Sequence, residues 1–337
     1  MDQGYIYQSK QPTPPSGDKY FIWHIQGGLG KNIAGSALVK TIKEKHPDRK
    51  LIMISSHPEV YLNNPLVDRV YQLGQAPYFY QDYIENKDVI ISKHEPYNQS
   101  DHITKKKHLL ENWCDLMGLK YSGQLPVIIP NYPQGMLPSL WNREKPIMVI
   151  QSGGGPMEGQ KYAYSWTRDI PMEVAQQIVN KFTQQYHIIQ ITRPNGYELK
   201  NVERIDTKMS NMDLCGLLQA SKKRVLIDSS LQHMSAAMNL KSTVLWVGTS
   251  PKVFGYKVHN NISAKLPKRA NQLIGSYTFD YQFENNIHEC PYMKVSEIFD
   301  VNNILNKNWT TGGYYDGVRN FYYTAGTNVY ATLNYKF

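Results

Sequence analysis

The hydrophobic positions of the chain fall into short continuous runs and into stretches with the spacing of an amphipathic helix. The apolar run over 20–26 predicts a strand, the spacing over 32–45 predicts a helix, and the run over 50–55 predicts a second strand. A strand, a helix and a strand in this order form a β-α-β unit, which indicates a parallel sheet in an α/β domain. A strand over 89–92 and an amphipathic helix over 105–117 extend this half of the chain.

The same alternation of strands and helices returns after residue 146. The predicted strands of the second half are 147–151, 188–192, 224–227 and 243–247, and its predicted helices are 171–186, 212–220 and 231–238. Between the halves, residues 130–146 carry four prolines and are the best candidate for a linker. The expected fold is therefore α/β with two facing Rossmann-like domains, an N-terminal domain over 19–135 and a C-terminal domain over 136–307.

The two ends of the chain differ from these domains. Residues 1–18 are polar and rich in proline, without the basic start and apolar stretch of a cleaved signal peptide, and they predict a flexible arm. From residue 308 onward the chain carries nine aromatic residues, and apolar and polar positions alternate over 328–337. This pattern predicts a short aromatic β-hairpin over 308–337, which we expect to pack on the second domain or to join copies of the chain.

Composition narrows the class of protein. Of the 337 residues, 41% are hydrophobic and 19% are charged, which is enough apolar material for two cores and excludes wholesale disorder. No apolar run approaches the length of roughly 18 residues that a transmembrane helix needs. The three cysteines are widely spaced and show no disulfide framework or zinc spacing, so we expect a reduced, cytoplasmic chain without a metal site.

The charge balance points to an anionic partner. Lysine and arginine number 37 against 28 aspartates and glutamates, a net charge of +9 that suits a phosphate-rich ligand, an anionic glycolipid or nucleic acid. An ordinary solvated surface explains the same excess. The longest basic run is only three lysines, over 105–107, without interleaved aromatic residues, so no nucleic-acid partner is expected.

A glycine-rich loop follows the first predicted strand. Glycines there let the backbone approach a ligand, and the start of the next helix offers free N–H groups to an anion. The loop does not match a Walker A motif, because Ile25 stands where its first glycine should be, and Ile33 replaces the third small residue of the dinucleotide pattern. A simple tight turn remains the alternative. The residues singled out in this loop are Gly27, Gly28, Gly30, Lys31 and Asn32.

Two further polar loops follow strands of the second half. The first is rich in glycine and precedes a lysine, which suits a phosphate, although glycine loops also simply turn. The second can cap the helix that follows it and places a histidine one turn into that helix, although caps and helical histidines are common. The candidate binding residues of these loops are Ser152, Gly153, Gly154, Lys161, Asp228, Ser229, Ser230, His233 and Thr249.

The order of these motifs resembles glycosyltransferase family 9, the heptosyltransferase-like enzymes, over about residues 20–305. The motifs that carry the resemblance are GGLGK at 27–31 with HPDRK after the helix, NPLVDRV at 64–70, the glycine loop at 152–155 with Lys161 and Trp166, and DSSLQHMSAAMNLKSTVLWVGTSP at 228–251. The last motif is the most specific of them.

The resemblance implies the two-domain GT-B fold and an inverting, metal-independent sugar transfer. The C-terminal domain would bind a nucleotide-sugar, a substrate rather than a cofactor, with Lys161 as the cation on its diphosphate and the loops at Ser152 and Asp228 around it. The N-terminal domain would bind the acceptor, a cell-surface glycan or lipopolysaccharide-type molecule, with possible peripheral contact with the inner membrane.

The chain departs from the family pattern at the general base. In the family, an aspartate in the first glycine loop is proposed as the general base. This chain has Lys31 at that position, and a lysine at its ordinary pKa cannot accept a proton. The loop after the strand at 89–92 offers replacements, although it also fits a solvated polar loop. The candidate catalytic residues are Glu95, Asp101 and His94, with His102 beside them. A second departure is Ser230, where the family has glycine.

Three other functions stay open. The lysine in the first loop also fits a catalytically degenerate protein that binds a nucleotide-sugar or glycan. The GGLG start resembles GT-B fucosyltransferases, which write Gly-Gly-Leu-Gly-Asn-Gln and use a GDP-sugar, but Lys31 intervenes here before Asn32. A nucleotide-sugar epimerase of the same architecture is the third.

Overall fold

A four-stranded parallel sheet forms the first half of the chain in a computed structural model. The model describes residues 17–103, 107–130, 143–154, 168–194, 196–205, 209–246, 249–264, 310–315 and 318–324. The strands of the first sheet are β1 (Lys19–Ile25), β2 (Lys50–Ser55), β3 (Arg69–Gln72) and β4 (Asp88–Ser92). They lie side by side in the order β3-β2-β1-β4.

Helices and turns connect these strands. The helices are α1 (Leu29–Gly35), α2 (Val39–Lys45), α3 (Phe79–Tyr83), α4 (Ser100–Ile103) and α5 (Leu109–Leu116), with short 3-10 turns over Ser36–Leu38, Pro58–Val60 and Pro96–Asn98. The helix predicted over 32–45 is therefore interrupted by the turn that joins α1 to α2. Helix α5 begins at Leu109, where the His108 side chain accepts a hydrogen bond from the Leu110 N–H and caps the helix.

The second half forms a larger sheet. Its parallel strands are β5 (Ile147–Gln151), β6 (His187–Ile191), β7 (Glu203–Ile205), β8 (Lys223–Ile227), β9 (Thr243–Trp246) and β10 (Asn260–Ala264). Its helices are α6 (Met172–Phe182), α7 (Asn211–Ala220), α8 (Ser230–Ala237) and α9 (Pro251–Phe254). The order β7-β6-β5-β8-β9-β10 is that of a dinucleotide-binding Rossmann sheet. Two antiparallel strands, β11 (Thr310–Tyr315) and β12 (Val318–Thr324), follow, and β12 pairs with β10.

Both sheets bury continuous apolar strands, as parallel sheets do when helices cover both faces. In β5 every residue of IMVIQ is buried. One cluster of buried side chains runs through both halves and includes Trp23 and Trp113 from the first half and Leu231, Met234 and Trp246 from the second. The two sheets therefore share one core on one side.

The structure confirms an α/β fold with two Rossmann-like sheets. The domain boundary at 135, residues 1–16 of the predicted arm and residues 308–309, 316–317 and 325–337 of the predicted hairpin lie outside the described residues. Among the helices that the structure describes, none is long and apolar enough to cross a membrane.

Candidate functional site

Each sheet has a point where the strand order reverses, and ligands of such folds bind at the carboxyl ends of the strands at that point. In the second sheet it lies between β5 and β8, so the loops at 152–154 and 228–229 meet there. In the first sheet it lies between β1 and β4, which brings together the loops at 26–28 and 93–95. These four loops hold half of the residues singled out from the sequence.

A buried ion pair supports the loop after β5. Arg193 Nη2 donates to Asp169 Oδ2 over 2.7 Å, and Asp169 Oδ1 accepts the N–H of Gly154 over 2.9 Å. Both charged side chains are at most 4% exposed. The hydroxyl of Ser152 is fully buried and accepts from Gln190 Nε2 over 2.8 Å. Buried side chains of Asp169 and Gln190 therefore hold this loop in place.

The loop after β8 packs directly against it. A Cβ atom at Gly154 would lie 3.2 Å from Ile227 Cδ1, so glycine lets the two loops approach. Asp228 is buried, and its burial raises the pKa of the carboxyl, although the charge of Arg168 and the hydroxyl of Thr249 act in the opposite direction. The positive charge of Arg168 thus acts on the carboxyl of Asp228 in this loop.

Helix α8 joins the second sheet to the glycine loop of the first. A Cβ atom at Gly30 would lie 3.1 Å from His233 Cδ2 and 3.6 Å from Ser230 Cα. His233 is buried, which lowers its pKa to about 3 and keeps the imidazole neutral at pH 7. Its Nδ1 accepts a hydrogen bond from the hydroxyl of Tyr256 over 2.7 Å. His233 therefore sits between the two domains at the back of the crevice.

Two further hydrogen bonds join the two domains at the back of the crevice. His108 Nε2 donates to the carbonyl oxygen of Gly255 over 3.0 Å, which ties α5 to the end of α9. Asn211, the first residue of α7, donates to the carboxylate of Glu59 in the turn after β2.

The glycine loop after β1 is followed by a lysine that forms an ion pair at the reversal point of the first sheet. The ammonium of Lys31 pairs with the carboxylate of Glu95. The side chain of Lys31 is 9% exposed, and that of Glu95 is 34% exposed. The same ammonium lies 5.4 Å from the ring centroid of Tyr97, a cation–π distance. The lysine that replaces the expected aspartate thus holds a carboxylate from the neighbouring loop at the sheet edge.

Asn32 fixes the shape of this glycine loop. Its Nδ2 donates to the carbonyl oxygens of Gly27 and Gly28 over 3.2 and 3.0 Å, and its Oδ1 accepts from Ser55 Oγ over 2.7 Å. Asn32 itself is fully buried.

The other candidate bases have different partners. Nδ1 of the exposed His94 is 3.0 Å from the hydroxyl of Ser92, and Asp101 pairs with Lys107 over 3.2 Å. His102 is buried between aromatic rings, and burial lowers its pKa to about 4. Of these four candidates, only Glu95 is brought against the glycine loop.

Some predicted and some unpredicted residues complete the picture. Lys161 lies outside the described residues. The sequence interpretation missed Arg168, Asp169 and Arg193. Arg193 was within reach of it, because it follows a predicted strand at the same sheet edge, whereas nothing local marks Asp169. Within the described ranges, no three His, Cys, Asp or Glu side chains are grouped to hold a metal ion.

Two Rossmann-like sheets with their ligand-binding edges facing each other define the GT-B fold. The resemblance to glycosyltransferase family 9 is confirmed at the level of this fold by solved structures. Neither a scan against protein-family models nor a search of curated proteins finds a match.

Three solved structures illustrate the likeness. A family 9 glycosyltransferase from Veillonella parvula has a TM-score of 0.52 at 10% identity, covering 82% of this chain and 91% of its own. The E. coli ADP-heptose lipopolysaccharide heptosyltransferase II has a TM-score of 0.52 at 12% identity, covering 79% and 98%. The dodecameric iron-containing heptosyltransferase TibC from enterotoxigenic E. coli, in complex with ADP-D-β-D-heptose, has a TM-score of 0.51 at 12% identity, covering 73% and 63%.

Proposed function

We propose that this protein is an inverting glycosyltransferase that moves a sugar from a nucleotide-sugar to a cell-surface glycan or glycolipid and needs no metal ion. The observation that carries the proposal is the meeting of the two reversal points across one crevice. One side presents glycine loops and a cation, and the other presents a carboxylate held by a lysine. The fold shared with an ADP-heptose complex supports a nucleotide-sugar as the donor.

The second domain supplies the donor side. The loop at Gly153 and Gly154 lies at the carboxyl edge of the sheet beside the start of α8, whose N–H groups would bind the diphosphate. Arg168, with Lys161 as a second cation, would neutralise the charge that develops on the leaving diphosphate. Side-chain cations then take the part that a divalent metal takes in other transferases.

The first domain supplies the acceptor side. The acceptor hydroxyl oxygen would attack the anomeric carbon from the face opposite the diphosphate, and the bond from that carbon to the diphosphate oxygen breaks. The hydroxyl proton passes to the carboxylate of Glu95. Lys31 acts as a positioning residue, because its ammonium fixes the orientation of that carboxylate.

Donor binding is tested by thermal stabilisation of the full-length chain with ADP-, GDP-, UDP-, CMP- and dTDP-sugars. A donor at about 100 times its dissociation constant adds roughly 2.7 kcal/mol to the free energy of unfolding. We expect one nucleotide class to stabilise the wild type and to lose this effect in Arg168→Ala and Lys161→Ala. Lys50→Ala, at an exposed position of the first sheet, is the matched control. Stabilisation by none of the five would reject the proposal, and GDP-sugars alone would favour the fucosyltransferase alternative.

The base is tested by turnover with the donor so identified. Glu95→Gln should lower kcat by about 10²- to 10⁴-fold, the usual contribution of a general base, while donor stabilisation persists. Asp101→Asn and His94→Gln, at the two other candidate positions, should retain most of the activity. Equal kcat values for wild type and Glu95→Gln would remove Glu95 from the mechanism.

A catalytically degenerate binder of nucleotide-sugars or glycans is the second candidate. The observation that favours it is the ion pair itself, because Lys31 engages the carboxylate that would have to accept the proton. Donor stabilisation without any transfer or hydrolysis of the sugar by the wild type would establish this function.

A further inference from the structure

Two exposed tyrosines flank the start of α3. Tyr78 is 77% exposed and Tyr80 is 59% exposed, whereas Phe79 between them turns inward. The ring of Phe79 packs 5.6 Å from that of Tyr71 and 5.1 Å from that of Tyr83. Phe79 therefore anchors this turn against the sheet, while the side chains of Tyr78 and Tyr80 stay exposed to solvent.

The topology places these rings at the ligand-binding edge of the first sheet. Helix α3 leads from the carboxyl end of β3 to the start of the parallel strand β4, so its first residues lie at the carboxyl edge. Gln72 at the end of β3 pairs in register with Ser55, and Ser55 pairs with Ile25. The chain thus leaves β3 level with the glycine loop after β1, two strand spacings or about 10 Å away across the sheet.

The rings also lie on the open side of the crevice. Helix α1 packs on α8, and the shared core lies on the same face of the first sheet. Helix α3 covers the opposite face, over Tyr20, Ile22 and Ile52. Since α1 and α8 close the crevice at the back, its opening faces the side on which α3 begins.

The chemistry of this surface suits a sugar chain. Aromatic faces pack against the apolar C–H face of a sugar ring, and amide side chains bond to its hydroxyls. The exposed amides of Gln75 and Gln81 lie beside the tyrosines in sequence. Tyr78 has φ 57°, a left-handed conformation that is uncommon for a bulky residue and that sets the direction of its ring.

We propose that Tyr78 and Tyr80 form an acceptor platform, a surface that binds the sugar rings of an oligosaccharide beyond the one that receives the transferred sugar. Its place in a reaction rests on the proposed function, but its binding of an oligosaccharide does not. The distance from the glycine loop requires an acceptor of more than one sugar, so a monosaccharide would not reach the platform.

The test uses the full-length chain and calorimetric titration with oligosaccharides released by mild acid from rough lipopolysaccharide and sorted by length. The wild type should bind tri- and tetrasaccharides without any added nucleotide. Tyr78→Gly combined with Tyr80→Ala should raise the dissociation constant about tenfold, the loss of two stacked rings. Glycine at 78 keeps the left-handed backbone, so the fold is spared.

The controls separate ring stacking from folding. Tyr78→Phe with Tyr80→Phe retains both rings and should bind within about twofold of the wild type. Ile91→Ala removes an exposed apolar side chain, 60% exposed, from the opposite edge strand and should change nothing. Thermal stabilisation by the nucleotide-sugar should be equal in all variants.

Three results would overturn the platform. These are an unchanged dissociation constant in the double variant, a wild type that binds no oligosaccharide, and a change of oligomeric state in the double variant, which would make the surface a protein contact. Loss of donor stabilisation in the wild type rejects the transferase proposal instead, so the two failures are distinguishable.

Discussion

Glycines 28 and 35 belong to the same glycine-rich segment but have different surroundings. A Cβ atom at Gly35 would lie 3.1 Å from both Ile25 Cδ1 and Trp113 Cη2 inside the core, whereas one at Gly28 would meet nothing within 4 Å. Gly35→Ala should therefore lower the free energy of unfolding by about 1–3 kcal/mol through overpacking. Gly28→Ala should lower it by only about 0.5 kcal/mol, because no atom crowds the added methyl group and alanine merely caps the start of α1 less well than glycine. Urea denaturation of both variants checks this, and equal midpoints would contradict it.

At this same scale, the sequence predicted several residues of the candidate site but not which side chains pair with one another. It singled out Lys31 as an unusual residue and Glu95 as a candidate base, but it held no information on their pairing. The two are 64 positions apart and meet only because β1 and β4 are neighbours in the sheet. The sequence did not predict the ion pair of Asp169 for the same reason, because its partner Arg193 follows a different strand.

At the scale of elements, the loop after β5 depends on a buried charge pair. Asp169→Ala would leave the guanidinium of Arg193 buried without its carboxylate and free the N–H of Gly154. We expect it to lower the free energy of unfolding by about 3–5 kcal/mol, the usual effect of breaking a buried pair. Asp48→Ala, which removes an exposed pair with Lys19, is the control and should hardly shift the urea midpoint. A similar small shift for both would show that the pair does not support the loop.

The elements predicted from periodicity are the long, buried ones. The predicted strands over 50–55 and 147–151 have the observed bounds. The elements before residue 308 that the sequence interpretation missed are β3, β7, β10, α3, α4 and α9, each of three to five residues. A segment with fewer than two helical turns, or with about two side-chain alternations, is too short to show a period. The conformation of such a segment is therefore set by the strands that pack beside it.

At the scale of the whole molecule, three largely buried histidines surround Tyr256, and two of them, His108 and His233, lie at contacts between the domains. Burial lowers the pKa of His108 and His259 to about 4 and that of His233 to about 3, below the unfolded value near 6.5. The unfolded chain therefore binds more protons as the pH falls. The contribution of these histidines to the free energy of unfolding should be at its maximum above about pH 6.5. It should decrease toward pH 4, by up to about 1.4 kcal/mol per pH unit for each histidine.

Urea denaturation at pH 7, 6 and 5 measures this slope. His108→Gln keeps an amide donor for the carbonyl of Gly255 but removes one titrating group, so its slope should be smaller than that of the wild type. A free energy of unfolding that rises on acidification from pH 7 to pH 5 is incompatible with neutral buried histidines at the domain contact.

The sequence by itself determined the two α/β halves, the glycine loops and the polar ends of the buried strands. These features are local, because a strand, a turn and a helix are encoded by residues a few positions apart. Only the tertiary structure decided that Lys31 meets Glu95, that His233 lies against Gly30 and that the two sheets share a core. Each of these contacts joins residues distant along the chain, and packing of the two sheets, rather than local propensity, brings them together.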